Sequence, residues 1–343
     1  MADKNKHELL KAAVPVEHRW PQNMMAEDKN DFQAQAAYDT FESFLKMVGN
    51  AWVSPDSVIY KNGIVMADSL ASQEHQSYYR LKHLAKKIIT SKKIRLSANK
   101  KYLLVTDLWS AGHFHWFVDV LPKLLCIENR TKEFTLLLPD SAYTRSIGLE
   151  SLQLLQWQFE DIIWMKENEF YKTGNLYYIS KISRSGQMYP ELMKTMRQKF
   201  IGNREPATKK IYISRGKAPF RKVVNEDELV REVTAYGFEI LYGEEFTLAD
   251  QVSIFSSCKT LLGIHGAGLT SCIFMPPCST VIELRKKENG PFNVGYWHLA
   301  DSLDHKYFYY NGIPDSDKPL VGNGCNLTIT LDDFEEKILK KLD

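Results

Sequence analysis

The sequence predicts an α/β protein of two domains. With 343 residues, the chain is long enough for two domains that each have their own core. Strand-like and helix-like segments alternate in the second half, which is typical of a parallel sheet covered by helices on both faces. A polar stretch with Gly202 and Pro206 precedes this alternation. We therefore predict an N-terminal domain of residues 1–205 and a C-terminal domain of residues 206–343, whose last helix packs either there or back on the N-terminal domain.

The first half of the chain has the less regular pattern. Residues 54–69 predict short strands joined at Asn62-Gly63, a pair that favours a hairpin turn. Apolar runs predict further strands, and amphipathic spacing predicts helices. The predicted strands are 101–106, 134–138 and 177–179, and the predicted helices are 32–48, 78–90, 149–158 and 189–200.

The second half follows the α/β pattern more closely. Asn225 precedes three acidic residues in the manner of a capping box, and Gly237 marks the end of the helix. The elements that follow are a strand at 238–241, a helix at 247–257, and strands at 260–264 and 280–284. This alternation predicts a doubly wound, Rossmann-like domain.

A glycine turn follows the strand at 260–264. Gly266 and Gly268, on either side of Ala267, let the backbone turn sharply. The N–H groups at the start of the next helix, up to Leu269, then point at an anion, with the positive end of the helix dipole behind them. Glu283 lies near the carboxyl end of the next strand, where α/β sheets place the acidic residue that accepts hydrogen bonds from a ribose. A phosphate site beside a ribose acceptor predicts a nucleotide.

Two arginines follow the first strand of the second half. Arg215 ends that strand, and Arg221 comes six residues later. A guanidinium group binds two oxygens of a diphosphate at once and keeps its proton, so the pair can take the place of a metal ion. The alternative is surface salt bridging with Glu226 and Asp227.

A histidine and an aspartate follow the strand at 101–106. His115 and Asp119 are four residues apart, so on a helix they share one face, and the carboxylate can orient the imidazole as a general base. The alternative is a core histidine that Asp119 satisfies. Pro122 also allows a new helix to begin there, which would leave His115 in the preceding loop.

The longer strings around these residues resemble family 61 of the glycosyltransferases. The strings are His265 to Thr270, Phe274 to Pro277, Val281 to Leu284, and His115-Trp116 followed by Asp119 and Leu121-Pro122. Ser271 stands where the family usually has Asn, and Cys278 where it usually has Gly. The resemblance is assigned to the bacterial capsule and surface-polysaccharide branch of this family. It implies the GT-B architecture, in which two Rossmann-like domains face each other across a cleft.

This resemblance also implies a reaction, namely inverting transfer from a nucleotide sugar, commonly a uridine diphosphate sugar, to a glycan or lipid-linked glycan. His265 is then expected to contact a phosphate or the sugar. No cofactor or divalent metal is expected, and Asp315-Ser316-Asp317, which has the spacing of a metal-binding motif in another architecture, is predicted to be a solvated turn. Two rival hypotheses are a sugar-nucleotide epimerase and a binding module without turnover.

The charge distribution limits the partners. A net charge of +2 gives no general attraction for nucleic acid. The segment from Arg80 to Lys101 holds nine Lys or Arg and no acidic residue. It is either a solvated helix face and loop or a weak contact with anionic membrane lipid or a lipid-linked acceptor.

Cysteine usage and the start of the chain predict the compartment. The five cysteines are odd in number and form no CxxC pair, so neither a disulfide framework nor a zinc ribbon is indicated. The residues after Met1 are polar, and no apolar run is long enough to span a bilayer. We expect a cytoplasmic protein, with a peripheral position at the inner membrane face as an alternative.

Overall fold

A computed structural model describes residues 7–72, 75, 81–202, 207–287, 293–320 and 324–342. The chain forms two compact units. The first comprises the described residues up to 14 together with 39–185, and the second comprises 15–38 together with those from 186 onward.

Strands and helices alternate in both units. In chain order the strands are β1 His7–Lys11, β2 Pro15–Glu17, β3 Ala37–Asp39, β4 Ser43–Val53, β5 Ile59–Lys61, β6 Ile64–Val65, β7 Lys92–Arg95, β8 Tyr102–Leu104, β9 Thr135–Pro139, β10 Asp161–Met165, β11 Glu169–Ile179, β12 Lys209–Ile213, β13 Phe238–Leu241, β14 Cys258–Ile264, β15 Thr280–Arg285, β16 Lys306–Asn311, β17 Ile313–Pro314 and β18 Leu327–Thr328. The α-helices are α1 Lys29–Gln33, α2 Leu81–Thr90, α3 His113–His115, α4 Leu121–Leu125, α5 Leu149–Leu154, α6 Pro190–Ile201, α7 Glu226–Ala235, α8 Leu248–Phe255, α9 Gly295–Ser302 and α10 Leu331–Lys337. This content confirms the predicted α/β class.

The first unit is built on a mixed sheet. Its order is β10-β9-β8-β11-β4-β5-β6, with β1 beside β4 and β7 beside β11. The strands β8 to β11 are parallel to one another, but β4 is antiparallel to β11, and the hairpin at Asn62-Gly63 joins β5 to β6 as predicted. The prediction of a Rossmann-like sheet is therefore correct for only half of this unit, because short turns after β4 and β5 return the chain in the opposite direction.

The predicted helix at 32–48 is wrong. Helix α1 ends at Gln33, and residues 43–53 form strand β4. The apolar residues of this segment can be read as helical or as extended. Pairing with the eleven residues of β11 settles the choice, because β4 then buries Leu45 and Val53 in the unit.

The second unit contains the predicted parallel sheet. Its order is β13-β12-β14-β15-β16, and every neighbouring pair is parallel. The central strands β14 and β15 are buried along almost their whole length, which explains why they are apolar at consecutive positions. The last helix, α10, packs through Phe334 into the core of this unit, so the alternative of packing back on the N-terminal domain is not found.

The second unit includes residues 15–38 and resumes at Gly186, so its bounds differ from the predicted single junction at residues 205 and 206. Helix α6 belongs to it because the Arg197 guanidinium donates to the Leu303 carbonyl oxygen and the Phe200 ring packs edge-on against Phe274. Within the predicted linker, residues 203–206 lie outside the described residues. None of the helices in the described ranges has both the length and the apolar character needed to span a bilayer.

His305 is a buried histidine before strand β16. Its side chain is enclosed, and Nε2 lies 3.0 Å from the Cys272 carbonyl oxygen, so Nε2 carries the hydrogen and donates it. Burial lowers the pKa of His305 to about 3, although the hydrogen bond to Cys272 opposes this effect. The folded unit therefore holds a neutral imidazole at a pH where a free histidine is protonated.

We expect the free energy of unfolding to fall as the pH is lowered from about 6.5 toward 3. Over this range the unfolded chain binds a proton at residue 305 and the folded chain does not, whereas above it neither does. In His305→Asn, the fall between about pH 6.5 and 5 should be smaller by about 2 kcal/mol in urea unfolding at each pH. The exposed His7 provides the control, because His7→Asn should leave the pH dependence unchanged; equal pH dependence in all three proteins would contradict the prediction.

Candidate functional site

The parallel sheet of the second unit has one point where the strand order reverses. The chain passes from β12 outward to β13 and then returns to β14 on the other side of β12. Such a reversal leaves a crevice outside the carboxyl ends of the two inner strands, where α/β proteins bind ligands. Arg215 follows β12 and the glycine turn follows β14, so the topology brings both predicted phosphate-binding groups to this crevice.

The glycine turn leads into a 3-10 helix, Ala267–Phe274. Gly266 has φ 153°, a value that side-chain-bearing residues rarely adopt. A Cβ atom on Gly268 would lie 2.7 Å from Cγ2 of Ile213, so only glycine lets the helix approach strand β12 this closely. Ala267 and Gly268 are half-buried, and as the first residues of the helix their N–H groups have no carbonyl partner within it.

The N–H group of Leu269 does not point at an anion site as predicted. Its N–H donates to the Gly266 carbonyl oxygen over 3.0 Å, and its side chain is buried beside Gly263. The amide is therefore already bonded inside the turn, and Leu269 serves the packing of the helix. The anion site is narrower than the sequence indicated and consists of the amides just before it.

Both predicted arginines meet at this turn. A Cβ atom on Gly266 would lie 3.1 Å from Nη1 of Arg221 and 3.4 Å from Nη1 of Arg215. Nη1 of Arg221 donates to the His265 carbonyl oxygen, and Nε of Arg215 donates to the carbonyl oxygen of Arg221. The backbone of Arg221 has φ 58°, the left-handed region that non-glycine residues seldom occupy. The loop is thus held in an unusual conformation that aims two cations at one point.

Neither guanidinium group forms an ion pair with a carboxylate of the described residues. Within the residues that the structure describes, all their hydrogen bonds go to backbone carbonyl oxygens, and Nε of Arg221 is buried without a partner. Burial lowers the pKa of both side chains, and the positive charge of Arg221 lowers the pKa of Arg215 further. Two half-buried cations held side by side favour the binding of an anion that carries more than one charge.

The alternative of salt bridges to Glu226 and Asp227 is not found among the ion pairs of the described residues. One oxygen of Glu226 accepts hydrogen bonds from the Tyr212 hydroxyl over 2.7 Å and from the Ser214 hydroxyl over 2.9 Å. Asn225 does not form the predicted capping box either, since its side chain bonds to the backbone of Ile329 at both amide atoms. The polar residues around α7 are used for structure, which leaves the arginines to the crevice.

Glu283 has a different position from the one predicted. Its side chain is fully buried, with 0% exposure, and its two oxygens contact Nδ1 of His265 and the hydroxyl of Tyr307. Burial alone would raise the pKa of Glu283, but the charge and hydrogen bond of His265, together with Arg285, lower it below its ordinary value. Glu283 therefore supports His265 from inside the core and does not face a ribose.

We expect Glu283→Ala to lower the free energy of unfolding by about 3–5 kcal/mol. The change leaves the Nδ1–H group of His265 and the Tyr307 hydroxyl without an acceptor, and each buried donor left unsatisfied costs about 1–3 kcal/mol. Thermal unfolding of the ligand-free protein measures the effect. The matched control is Glu239→Ala, a removal of an exposed carboxylate from strand β13, which should change stability little. Normal stability with only a loss of nucleotide affinity would restore the ribose role.

His265 presents one nitrogen away from Glu283. The Asn293 side-chain oxygen accepts the Gly295 N–H over 3.1 Å, so its amide nitrogen is the atom that lies 3.3 Å from Nε2 of His265. Nδ1 of His265 then carries the hydrogen and Nε2 is an acceptor. The ring of Tyr296 packs edge-on against the imidazole at 5.2 Å. His265 is thus held in one tautomer beside the arginines.

Two positions depart from the family string. Ser271 is buried within the 3-10 helix. Cys278 has φ 61°, a left-handed conformation that glycine adopts without strain. The turn after the paired prolines therefore keeps a glycine-like geometry although it carries a cysteine.

Asp315, the first residue of the Asp315-Ser316-Asp317 motif, lies in an exposed turn, where Asn326 donates to both of its oxygens.

The predicted contact between His115 and Asp119 forms in the first unit. Helix α3 continues into a π-helical turn, Trp116–Val120, before α4 begins with Pro122 in its first turn. His115 therefore lies on the helix and not in a loop, and proline's missing N–H accompanies the wider turn. Nδ1 of His115 is 2.8 Å from Oδ2 of Asp119. The spacing prediction is thus correct in its geometry, while the catalytic role stays a prediction.

Ser185 completes this group. Its hydroxyl lies 3.0 Å from Nδ1 of His115 and donates to Oδ2 of Asp119 over 3.1 Å. All described bonds of the His115 imidazole thus fall on Nδ1, and the side chain is 28% exposed. A histidine whose Nδ1–H is held by a carboxylate has Nε2 available as a proton acceptor.

A small pocket adjoins Asp119. It lies outside the carboxyl ends of β8 and β11, where the strand order of the first sheet reverses. Its charged lining consists of Asp107, Asp119, Lys123 and Lys181. Burial lowers the pKa of Lys181, an effect that the carboxylates of Asp107 and Asp119 oppose. The pocket offers both hydrogen-bond donors and acceptors, which suits a ligand with many hydroxyl groups.

Trp109 extends this site with an aromatic surface. Its indole is half-buried, and its ring centre lies 5.2 Å from that of His115. Asp107 fixes the loop by accepting the Trp109 N–H over 3.0 Å, and the Trp109 carbonyl oxygen accepts the Gly112 N–H over 2.8 Å. Trp109 was not predicted as a site residue, although its position just after a buried strand places it at the edge where such sites form. No local pattern in the sequence marks Ser185 or Lys181, which only β11 brings to the pocket.

Comparisons with known proteins relate this chain to glycosyltransferases. Residues 113–282 match the family model described as Glycosyltransferase 61. The EGF domain-specific O-linked N-acetylglucosamine transferase of Drosophila melanogaster is 35% identical over 81 residues, which is 23% of this chain and 15% of that protein. The corresponding transferase of Mus musculus is 36% identical over 75 residues, or 20% of this chain and 14% of that protein.

A plant enzyme shows similar agreement. The alpha-1,3-arabinosyltransferase XAT3 of Oryza sativa subsp. japonica is 34% identical over 68 residues, which is 19% of this chain and 12% of that protein. The matched segments thus cover between 12% and 15% of the length of these three relatives. All three come from eukaryotes, so the bacterial surface-polysaccharide branch stays a prediction.

Proposed function

We propose that this chain, whose residues 113–282 match the Glycosyltransferase 61 family model, belongs to that family and transfers a sugar from a nucleotide sugar to a hydroxyl group of a glycan. The observation that carries this proposal is the pair of arginines at the Gly266 turn, neither of which forms an ion pair with a carboxylate of the described residues. A diphosphate supplies the charge that this pair lacks, and the N–H groups of Ala267 and Gly268 can donate to its oxygens.

The second unit would act on the leaving group. As the bond between the anomeric carbon and the phosphate oxygen breaks, its electron pair passes to the nucleoside diphosphate. The growing negative charge is stabilised by Arg215, Arg221 and the amides of the glycine turn. These groups are positioned before the reaction, so they supply the charge that other enzymes take from a divalent cation. We therefore propose a reaction that proceeds without a metal ion.

The first unit would act on the acceptor. The acceptor hydroxyl attacks the anomeric carbon and gives its proton to Nε2 of His115, while Asp119 and Ser185 hold Nδ1. Asp119 is the weaker candidate for the base, since its Oδ2 is already engaged by both neighbours. One displacement of this kind inverts the configuration at the anomeric carbon. The Trp109 indole offers a flat apolar surface on which the acceptor sugar can stack.

The substrates can be proposed in finer detail. The donor is a uridine diphosphate sugar, as the family resemblance implies. The named relatives act with N-acetylglucosamine or arabinose, so the sugar is proposed to be a hexose derivative or a pentose. The acceptor is a glycan or lipid-linked glycan in the assembly of a surface polysaccharide or glycoconjugate, and the reaction takes place in the cytoplasm.

A thermal-shift screen tests the proposal. The full chain is heated with a panel of nucleoside diphosphates and nucleotide sugars, with and without EDTA. A ligand present at about 100 times its Kd should raise the melting temperature by roughly 5 °C or more. The same donors are then assayed with glycan acceptors for release of the nucleoside diphosphate. No shift with any diphosphate, or a shift that EDTA abolishes, would contradict the proposal, and binding without acceptor-dependent release would support a non-catalytic module.

A further inference from the structure

Helix α2 of the first unit carries two large apolar side chains that the protein leaves uncovered. The helix is attached through Leu84, which packs in a small cluster with Tyr60 and Phe170. Farther along, Ile88 is 40% exposed and Ile89 is 81% exposed. Adjacent isoleucines on the end of a surface helix do nothing for the core, and together they form an apolar surface that another molecule can cover.

Cations flank these isoleucines along the chain. Lys86 and Lys87 precede them on α2, and Lys93 and Arg95 follow on strand β7. None of these four cations forms an ion pair with any residue described in the structure, and all but the half-buried Lys87 are exposed. We call the four cations and the two isoleucines the basic patch. Arg80, at the start of the basic segment of the sequence, lies outside the described residues.

Other lysines of the same segment are neutralised. Nζ of Lys92 lies 3.9 Å from Glu169, and Nζ of Lys100 lies 3.4 Å from Glu160. Lys101 pairs with a carboxylate of the sheet as well. The segment is therefore not uniformly a solvated face balanced by nearby acids. The cations that form no ion pair with a described residue are those that flank the exposed isoleucines in the sequence.

We propose that the basic patch docks the protein on the surface of a membrane that contains anionic lipid. Lysine and arginine side chains attract acidic headgroups, and isoleucine side chains can enter the boundary between headgroups and acyl chains. A nucleic acid fits this patch less well, because two aliphatic side chains at its centre contact neither phosphates nor stacked bases favourably. This inference does not depend on the proposed function, since it concerns a different surface and a different ligand.

Cosedimentation of the full chain with vesicles tests the proposal. Vesicles of phosphatidylcholine with about 30% phosphatidylserine are compared with vesicles of pure phosphatidylcholine at about 0.1 M salt. We expect at least about tenfold stronger binding to the anionic vesicles, and a loss of this binding as the salt concentration rises. Lys86→Gln/Lys93→Gln and, separately, Ile89→Ser should each lower the partition coefficient on anionic vesicles at least about fivefold.

Matched variants in the second unit provide the controls. Lys29→Gln/Lys318→Gln removes the same charge from exposed positions, and Ile313→Ser removes an isoleucine that is 60% exposed. These variants should bind vesicles as the wild type does. Equal binding to both kinds of vesicle, equal losses in patch and control variants, or displacement from vesicles by duplex DNA would overturn the proposal. Circular dichroism melting verifies that every variant is folded, and Ile89→Ser, at an exposed position, should melt normally.

Discussion

Replacing Arg215 with Gln is expected to weaken binding of uridine diphosphate by about 100-fold and to leave the stability of the ligand-free protein within about 1 kcal/mol of the wild type. The guanidinium contributes positive charge at the Gly266 turn, where a diphosphate is proposed to bind. Its removal costs two hydrogen bonds of 3.2 Å to backbone carbonyl oxygens. The loss of a half-buried cation that Arg221 repels offsets that cost.

Isothermal titration calorimetry in EDTA measures the affinity, and thermal unfolding measures the stability. Lys217→Gln is the matched control, because it removes a charge of the same sign two residues away, where the side chain pairs with Glu245 at the surface. That variant should bind uridine diphosphate normally. Unchanged affinity in Arg215→Gln, or a large loss of stability that accounts for the lost binding, would show that Arg215 only supports the loop.

Replacing His115 with Gln is expected to lower the rate of transfer by about 10²- to 10⁴-fold, with donor affinity unchanged. The variant loses the proton acceptor and keeps a polar side chain of similar length. Asp119→Asn should cause a loss of about 100-fold, because an amide that donates to Nδ1 favours the tautomer with hydrogen on Nε2, which cannot accept a proton. Steady-state kinetics with saturating donor and acceptor measure both effects.

His113→Gln is the control for this series. His113 lies two residues before His115, and its Nδ1 is 3.1 Å from the Tyr143 hydroxyl, so it belongs to the packing of the helix. Transfer per folded molecule should stay close to that of the wild type. Transfer in His115→Gln within about threefold of the wild type would exclude His115 as the base, and a large loss in His113→Gln as well would indicate general damage to the helix.

Much of the fold and part of the site could be predicted from local sequence signals. The alternation of strands and helices in the second half predicted its parallel sheet, and Asn62-Gly63 predicted a hairpin. The predicted enzyme class agrees with the family match and with the names of the relatives, and it is proposed for this chain on that basis. The four-residue spacing predicted the contact of His115 with Asp119. Each of these signals depends on residues close together in the chain, where backbone geometry limits the outcomes.

The assignments that failed depend on contacts between distant residues. The first part of strand β4, residues 43–48, was predicted to be helical because the pairing of β4 with β11 involves residues more than a hundred positions away. Glu283 was placed at a ribose because its position at the end of a strand is visible in the sequence, whereas Tyr307 and His265, which bury it, are not. Ser185 and Lys181 had no local signal, since β11 alone carries them to the pocket.

By itself, therefore, the sequence predicted most strands and helices between residues 206 and 284, which residues could carry charge at a phosphate, and the family that the central region resembles. The tertiary structure alone decided which of those residues face the crevice and which are buried. The reason is physical: spacing along the chain specifies the direction of a side chain relative to its own element, but burial and charge compensation depend on the elements that pack against it. In the folded sheet, Arg215 and Arg221 form no ion pair with a carboxylate of the described residues, and Glu283 is enclosed. Neither outcome can be derived from the positions of these residues in the sequence.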